Sequence, residues 1–417
     1  MNISRFFTIA GLLLATCVPL PIAAMSLSEA LALSLDRDAG LAALHARAEA
    51  RDEYAVAATA LPDPELFLGA QGLPLNDPLD SDMMTMYMIG LRQQFPPGQT
   101  RRLAGEQARV QGRAVLAQRQ LRQLEISNAV RQRWLAWAGA SASLAVAEQG
   151  LTAFDELLEF TESRYRAGTG RQRDIDQARL ERALRARQVL DAEIELEQAA
   201  IDLARWTGRL PLANAPEFPA WPPPAEPSEL LERLNTHPAL ESDRLLIEAG
   251  QLGAELERQA YRPMWMVEGG YGHQRGRNPM DQGRQPDRLF AMVSMSLPLF
   301  TGNRQDRRVA SAEAEVDALG HQRSLRLQEW RGQLQGELSR WHSRHRRLTL
   351  NEEVILPDAR STVASTLQAY RRDQASFDEL VRARLAEIEQ ELAVIETRLA
   401  WLTSRSELAY LSAEELQ

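Results

Sequence analysis

The side chains able to do chemistry are few and scattered. His342 and His345 stand three apart in Trp-His-Ser-Arg-His-Arg-Arg, a spacing that shares one helical face. Three arginines crowd them with positive charge, so they are not read as metal ligands. Methionine clusters twice, at Met83, Met84, Met86 and Met88, and at Met264, Met266, Met292 and Met295. Thioethers suit soft ions such as Cu(I). They also fill gaps in packed surfaces, so no metal site is assigned. Cys17 is the single cysteine, which excludes a disulfide framework and a cysteine-cluster zinc site. There is no glycine-rich phosphate loop, no His-Glu-x-x-His and no nucleophile elbow. No catalytic residue and no cofactor are expected.

The 417 residues are 44% hydrophobic, 25% charged and 6% aromatic, with a mean hydropathy of -0.35. Repeated apolar runs of about 20 residues are missing, which excludes a polytopic helical membrane protein. Acidic residues outnumber basic ones 57 to 48, all the basic ones are arginine, and the net charge is -9. That balance is a poor fit to nucleic-acid binding. Met1 to Arg5 is a short basic start, an apolar stretch runs from Phe6 to about Leu20, and small residues follow to Ala24. This reads as a secretory signal peptide over 1–24. Leu14-Ala15-Thr16-Cys17 weakly matches a lipoprotein signal, and threonine before the cysteine disfavours lipidation of Cys17.

The mature chain is written twice. Tyr165-Arg166 matches Tyr370-Arg371, and Ala178-Arg179-Leu180 matches Ala383-Arg384-Leu385. Ser28-Glu29 matches Ser228-Glu229, Pro62 matches Pro263, Gly69 matches Gly270, and Gly98 matches Gly302. An ordered series at a nearly constant offset points to duplication. The expected organisation is a first repeat over 25–210, a proline-rich linker over 211–227 and a second repeat over 228–417. Neither helix nor central strand can cross the linker. Phe218 and Trp221 suggest an ordered, extended segment packed on helices.

Each half reads as helix, two strands and two long helices. Residues 27–60 are expected to be one helix, ended by Pro62 and Pro64. Period-two alternation marks strands at 65–73, 85–93, 264–272 and 289–297. Leu66, Leu68, Tyr87, Ile89, Leu91, Trp265, Val267 and Tyr271 then lie on apolar faces. Glu65, Gln71, Arg92 and Glu268 lie opposite them. Proline-free stretches predict helices over about 100–166 and 174–206; their second-half counterparts are 303–371, which carries one proline, Pro357, and 376–410. Val381, Leu385, Ile388, Leu392, Ile395, Leu399 and Leu402 form a heptad seam. Leu180, Ala183, Leu190, Ile194, Ile201 and Ala204 are expected to be its first-half counterpart.

Four strands of about nine residues cannot close a membrane barrel, because the smallest barrels have about eight. Several copies of the chain could. Their apolar face would then meet lipid, with Glu65, Gln71, Arg92 and Glu268 lining a wet lumen.

With these elements in order, the sequence resembles the TolC-type outer-membrane efflux proteins over nearly the whole mature chain. The residues that carry the resemblance are Ser26-Leu-Ser-Glu-Ala-Leu and Tyr165-Arg-Ala-Gly168 leading to Asp174 and Ala178-Arg-Leu. Leu297-Pro-Leu-Phe-Thr-Gly302 and Tyr370-Arg-Arg-Asp373 leading to Glu379 and Ala383-Arg-Leu complete them. The resemblance implies a mainly α-helical fold, with a coiled-coil α-barrel in the periplasm. It also implies a homotrimer with a 12-stranded barrel in the outer membrane of a Gram-negative bacterium. An adaptor (membrane fusion) protein and an inner-membrane RND-type pump would be partners. Turns at 167–173 and 372–376 would form the periplasmic tip. Tyr165, Gly168, Asp174, Tyr370, Asp373, Glu379 and Arg382 would serve gating and adaptor docking there. Asp373 replaces the family's glycine, which predicts a different geometry in the second turn. Met88-Ile-Gly-Leu-Arg-Gln-Gln-Phe-Pro-Pro-Gly98 is similar to the heavy-metal branch, CzcC and CusC proteins. The alternatives are a duct for organic compounds and a periplasmic coiled-coil adaptor.

Overall fold

The computed structural model describes residues 25–73, 84–211, 217–274, 280 and 283–416. The signal segment with Cys17, Met83 and the polar turn at 76–80 lie outside them. The chain begins with helices α1 (Leu27–Arg37) and α2 (Ala39–Thr59), then strands β1 (Glu65–Gln71) and β2 (Met86–Phe95). Long helices α3 (Thr100–Arg166) and α4 (Gln172–Thr207) follow. The same order returns as α5 (Pro227–Leu234), α6 (Pro238–Arg258), β3 (Trp265–Gln274), β4 (Arg288–Met295), α7 (Gln305–Leu350), α8 (Leu356–Arg371) and α9 (Phe377–Leu411).

The single helix expected over 27–60 is two helices. Asp38 is extended (φ -71°, ψ 106°) and accepts from the Leu41 N–H at 2.8 Å, capping α2. Arg122 donates to its other oxygen at 2.9 Å, holding the carboxyl below the ordinary carboxylate range. An aspartate that satisfies an orphan helical N–H outweighs the helix propensity of its neighbours.

Pro357 does not break its helix. A π-helical turn at Asn351–Ile355 precedes it, and the Leu356 N–H reaches back to the Asn351 carbonyl. The wider turn gives the proline ring room where it would otherwise meet the carbonyl four residues back.

The chain packs as two compact units, each drawing on both sequence halves. The described residues of Met1–Leu33, Arg133–Pro219 and Ala359–Ile395 form one. Those of Ser34–Gln132, Ala220–Asp358 and Glu396–Gln417 form the other. The first is centred on Phe154, Leu157, Ala178, Tyr370, Phe377 and Leu380. Here the heptad seam of α9 is realised: Val381 and Ile388 are buried, with Leu385 and Leu392 packed against them.

The counterpart seam on α4 departs from expectation. Leu180 and Leu190 are 59% exposed, and Ile194 and Ile201 are exposed as well. Helix α4 instead buries Ile175, Ala178, Ala192 and Leu203. Among the described residues, no helix covers these four side chains of the stripe.

In the second unit, α3 and α6 approach through Val110, Ala114, Ala117, Leu245 and Ala249. The small alanines allow the close contact. A second cluster joins Leu230, Leu334, Leu338, Trp341, Leu408 and Leu411. The proline-rich stretch is ordered where described: Trp221 is buried, and the Pro222 carbonyl accepts from Arg405 Nε at 2.7 Å. Arg405 is 1% exposed and makes a bidentate pair with Glu414 at 2.6 and 3.1 Å. Arg131 donates to the Leu416 carbonyl at 2.6 Å. Burial, and then the like charge of Arg405, push its pKa down to about 10.

Candidate functional site

Two places gather the residues singled out by sequence. One is the pair of turns that reverse the long helices in the first unit. Residues 167–171 join α3 to α4, so Gln172 and Arg173 are already helical. Residues 372–376 join α8 to α9.

The second turn has the geometry of the first, contrary to the expectation from Asp373. Gly168 has φ 76° and Asp373 has φ 55°. The Gly168 N–H donates to the Tyr165 carbonyl at 2.9 Å, and the Asp373 N–H to the Tyr370 carbonyl at 3.2 Å. Aspartate tolerates the left-handed conformation better than most residues. Here its side chain also has a partner, since Arg164 donates to the Asp373 carboxylate.

Arg164 is the residue that sequence reading missed. It donates to the Tyr370 carbonyl at 2.9 Å and the Thr169 carbonyl at 3.3 Å. Its guanidinium lies 4.8 Å from the centre of the Tyr370 ring. Asp373, then the other neighbouring charges, hold it firmly protonated. One side chain thus ties both turns together. Its counterpart in the second half is Ala369, so a search for repeated residues passes over it.

The matched tyrosines diverge. Tyr370 is 5% exposed, packed edge-on against Phe160 at 5.9 Å and near Phe377 at 5.8 Å. Burial raises its pKa. Tyr165 is 47% exposed. Glu379 closes a capping box: it accepts from the Ser376 N–H at 2.7 Å, while Ser376 Oγ accepts from the Glu379 N–H at 3.2 Å. Those bonds lower its pKa. Arg382 donates to the Asp378 carbonyl at 3.3 Å, and Arg173 pairs with the Asp378 carboxylate. Asp174 lines a cleft of about 730 Å³ with Arg164, Tyr370, Asp373 and Glu379. Of the expected tip residues, the cleft brings together Asp174, Tyr370, Asp373 and Glu379, while Tyr165, Gly168 and Arg382 lie outside its lining.

The other place is the sheet. Its four strands are antiparallel in the order β1-β2-β3-β4, leaving β1 and β4 as edges. The register converts the alternation into rows. Leu68, Ile89, Tyr271 and Leu289 face each other across the sheet, as do Phe95, Trp265 and Met295. Leu68 is 76% and Leu289 86% exposed, so this apolar face is bare in one copy.

The opposite face carries Glu65, Arg92, Glu268 and Met292 in one row and Phe67, Gly90, Gly270 and Phe290 in the next. Arg92 Nε donates to Glu268 at 2.6 Å, and Arg92 Nη1 lies 3.6 Å from Glu65. Gln71 is on the same face, three rows away. Three of the four polar positions thus form one ladder. The methionine clusters are divided: Met86, Met88, Met266 and Met292 share the polar face, and Met295 is on the apolar one. His342 and His345 pack against Trp341, and His345 stacks on Trp401 at 5.3 Å.

This arrangement is the fold of outer-membrane channels. VceC of Vibrio cholerae superposes with a TM-score of 0.73 at 17% identity, over 94% of this chain and 97% of that one. The open state of MtrE from Neisseria gonorrhoeae gives 0.75 at 16% identity, over 94% and 90%. CusC, solved in a study of folding and transmembrane channel formation, gives 0.74 at 16% identity, over 93% and 92%. Residues 30–209 match the family model described as outer membrane efflux protein. No curated protein matches the chain significantly.

Proposed function

We propose that the chain is the outer-membrane exit duct of a tripartite efflux system, a passive conduit built from three copies. The observation that carries the reading is the open sheet. Among the described residues it has a bare apolar face, a polar face with a charge ladder, and two unpaired edges. Such a sheet is not stable alone in water. Lipid on the apolar face and neighbouring copies on the edges would satisfy it, giving 12 strands from three chains (3 × 4). The exposed stripe Leu180, Leu190, Ile194 and Ile201 on α4 gives the helical part a matching unpartnered face. The family match over 30–209 supports the same reading.

The turn pair around Arg164 is the periplasmic entrance, where an adaptor docks and a pump delivers cargo. The cargo we assign is heavy-metal cations, on the resemblance of residues 88–98. The test is fractionation followed by planar-bilayer recording. A detergent-extracted, outer-membrane oligomer that conducts supports the duct. A monomer soluble without detergent contradicts it. Conductance measured with divalent metal salts and with organic ions separates the two cargo classes.

A further inference from the structure

We propose that Glu65 is the residue that sets the ion preference of the barrel, as the one charge of its row that a permeating ion meets. This rests on the duct reading, which makes the polar face of the sheet the lumen.

The row Glu65–Arg92–Glu268 holds two acids and one base. Glu268 is buried and bonded to Arg92 at 2.6 Å, so these two charges neutralise each other at close range. Glu65 stands 3.6 Å from the same guanidinium and its side chain is 56% exposed. The uncompensated negative charge of the row therefore resides on Glu65, on the edge strand.

The neighbouring row does not screen it sterically. A Cβ on Gly90 would come within 2.6 Å of the Phe67 ring, and one on Gly270 within 2.6 Å of the Phe290 ring. Both rings thus lie folded over the glycines beside them, their centres 6.0 Å apart and their planes tilted by 47°. Arg92 also covers Phe67 at 5.6 Å. The glycines leave the path above the sheet open at the row next to Glu65.

Among the described strand residues, the other charge on this face is Arg288, in the row Gly69–Met88–Gly272–Arg288. That is two same-face rows beyond Glu65, about 13 Å at about 3.3 Å per residue. The separation exceeds the Debye length of about 8 Å at physiological salt, so the two charges act on a permeating ion separately. A solute passing along the barrel meets a negative layer and a positive layer in turn.

Removing one unit charge about 7 Å from an ion in water changes its local concentration about threefold. The test is the reversal potential of the purified channel in a potassium chloride gradient. Glu65→Gln is expected to lower the cation-to-anion permeability ratio at least about twofold, and Arg288→Gln to raise it. Glu65→Ser provides a second removal of the charge if the glutamine variant does not assemble. A conducting Glu65 variant with an unchanged ratio overturns the assignment while leaving the duct intact. A wild-type protein that never conducts overturns the duct reading, and with it this one.

Discussion

Removing Arg164 should loosen both helical turns together. Its side chain donates to the Tyr370 carbonyl at 2.9 Å and stacks 4.8 Å from the Tyr370 ring centre. A hydrogen bond from a charged donor contributes about 1.5–3 kcal/mol. Stacking of a cation on an aromatic ring adds about 0.5–1 kcal/mol where it is partly exposed. The pair with Asp373 counts for little, about 0.5 kcal/mol, because Asp373 is 74% exposed and screened by solvent. Allowing for overlap among these contacts, Arg164→Ala should cost about 3 kcal/mol locally. At about 1.4 kcal/mol per decade, the open population of the turns should rise about 100-fold. Hydrogen exchange reads this directly. The amides of Asp373 and Gln374, and of Thr169 and Gly170, are bonded within the turns and should exchange faster by that factor. Amides in mid-α4 should not change. Arg164→Lys should recover part of the protection, since it restores the charge but not the planar fork. An increase below about threefold at all four amides would refute the role given to Arg164.

Two further outcomes concern the second unit. His237 is fully buried, its Nδ1 accepts from the Ala239 N–H, and its Nε2 donates to the Tyr410 carbonyl. Burial lowers its pKa to about 4 from 6.5, so between these values the unfolded chain binds the proton and the folded one does not. Stability should therefore be full above about pH 6.5 and fall by about 3 kcal/mol as pH drops toward about 4. Denaturant melts across that range check this, and His237→Asn, which keeps a capping side chain, should flatten the dependence. Among the described residues, Glu414→Ala leaves the buried guanidinium of Arg405 with only the Pro222 carbonyl as a hydrogen-bond acceptor. It should cost about 3 kcal/mol or more, seen as a lower unfolding temperature of the detergent-held protein.

Much of the sheet was legible because period-two alternation survives in each strand. It placed Glu65, Arg92 and Glu268 opposite the apolar residues. That the three align in one row was not legible. β2 and β3 pair across about 170 residues, and their register is set by where the helices deliver them. The long helices were readable from the absence of proline, while the break at Asp38 depends on a cap and on Arg122, far along the chain. At the turns, the repeated tyrosines marked the place but hid the residue that binds it. Arg164 has no counterpart, and Asp373 adopts a glycine-like conformation beside Arg164. The α4 stripe was visible as a heptad, but its exposure within one copy was not, because a heptad pattern is the same whether the covering helix belongs to the same chain or to another copy.

The central claim is that one copy is an incomplete barrel. Native mass measurement of the protein extracted from membranes in mild detergent tests it most directly. Three copies per particle are expected, with no stable monomer once detergent is removed. A folded monomer that stays soluble without detergent would contradict the account, because the face of Leu68, Ile89 and Leu289 would then have to be covered within a single chain.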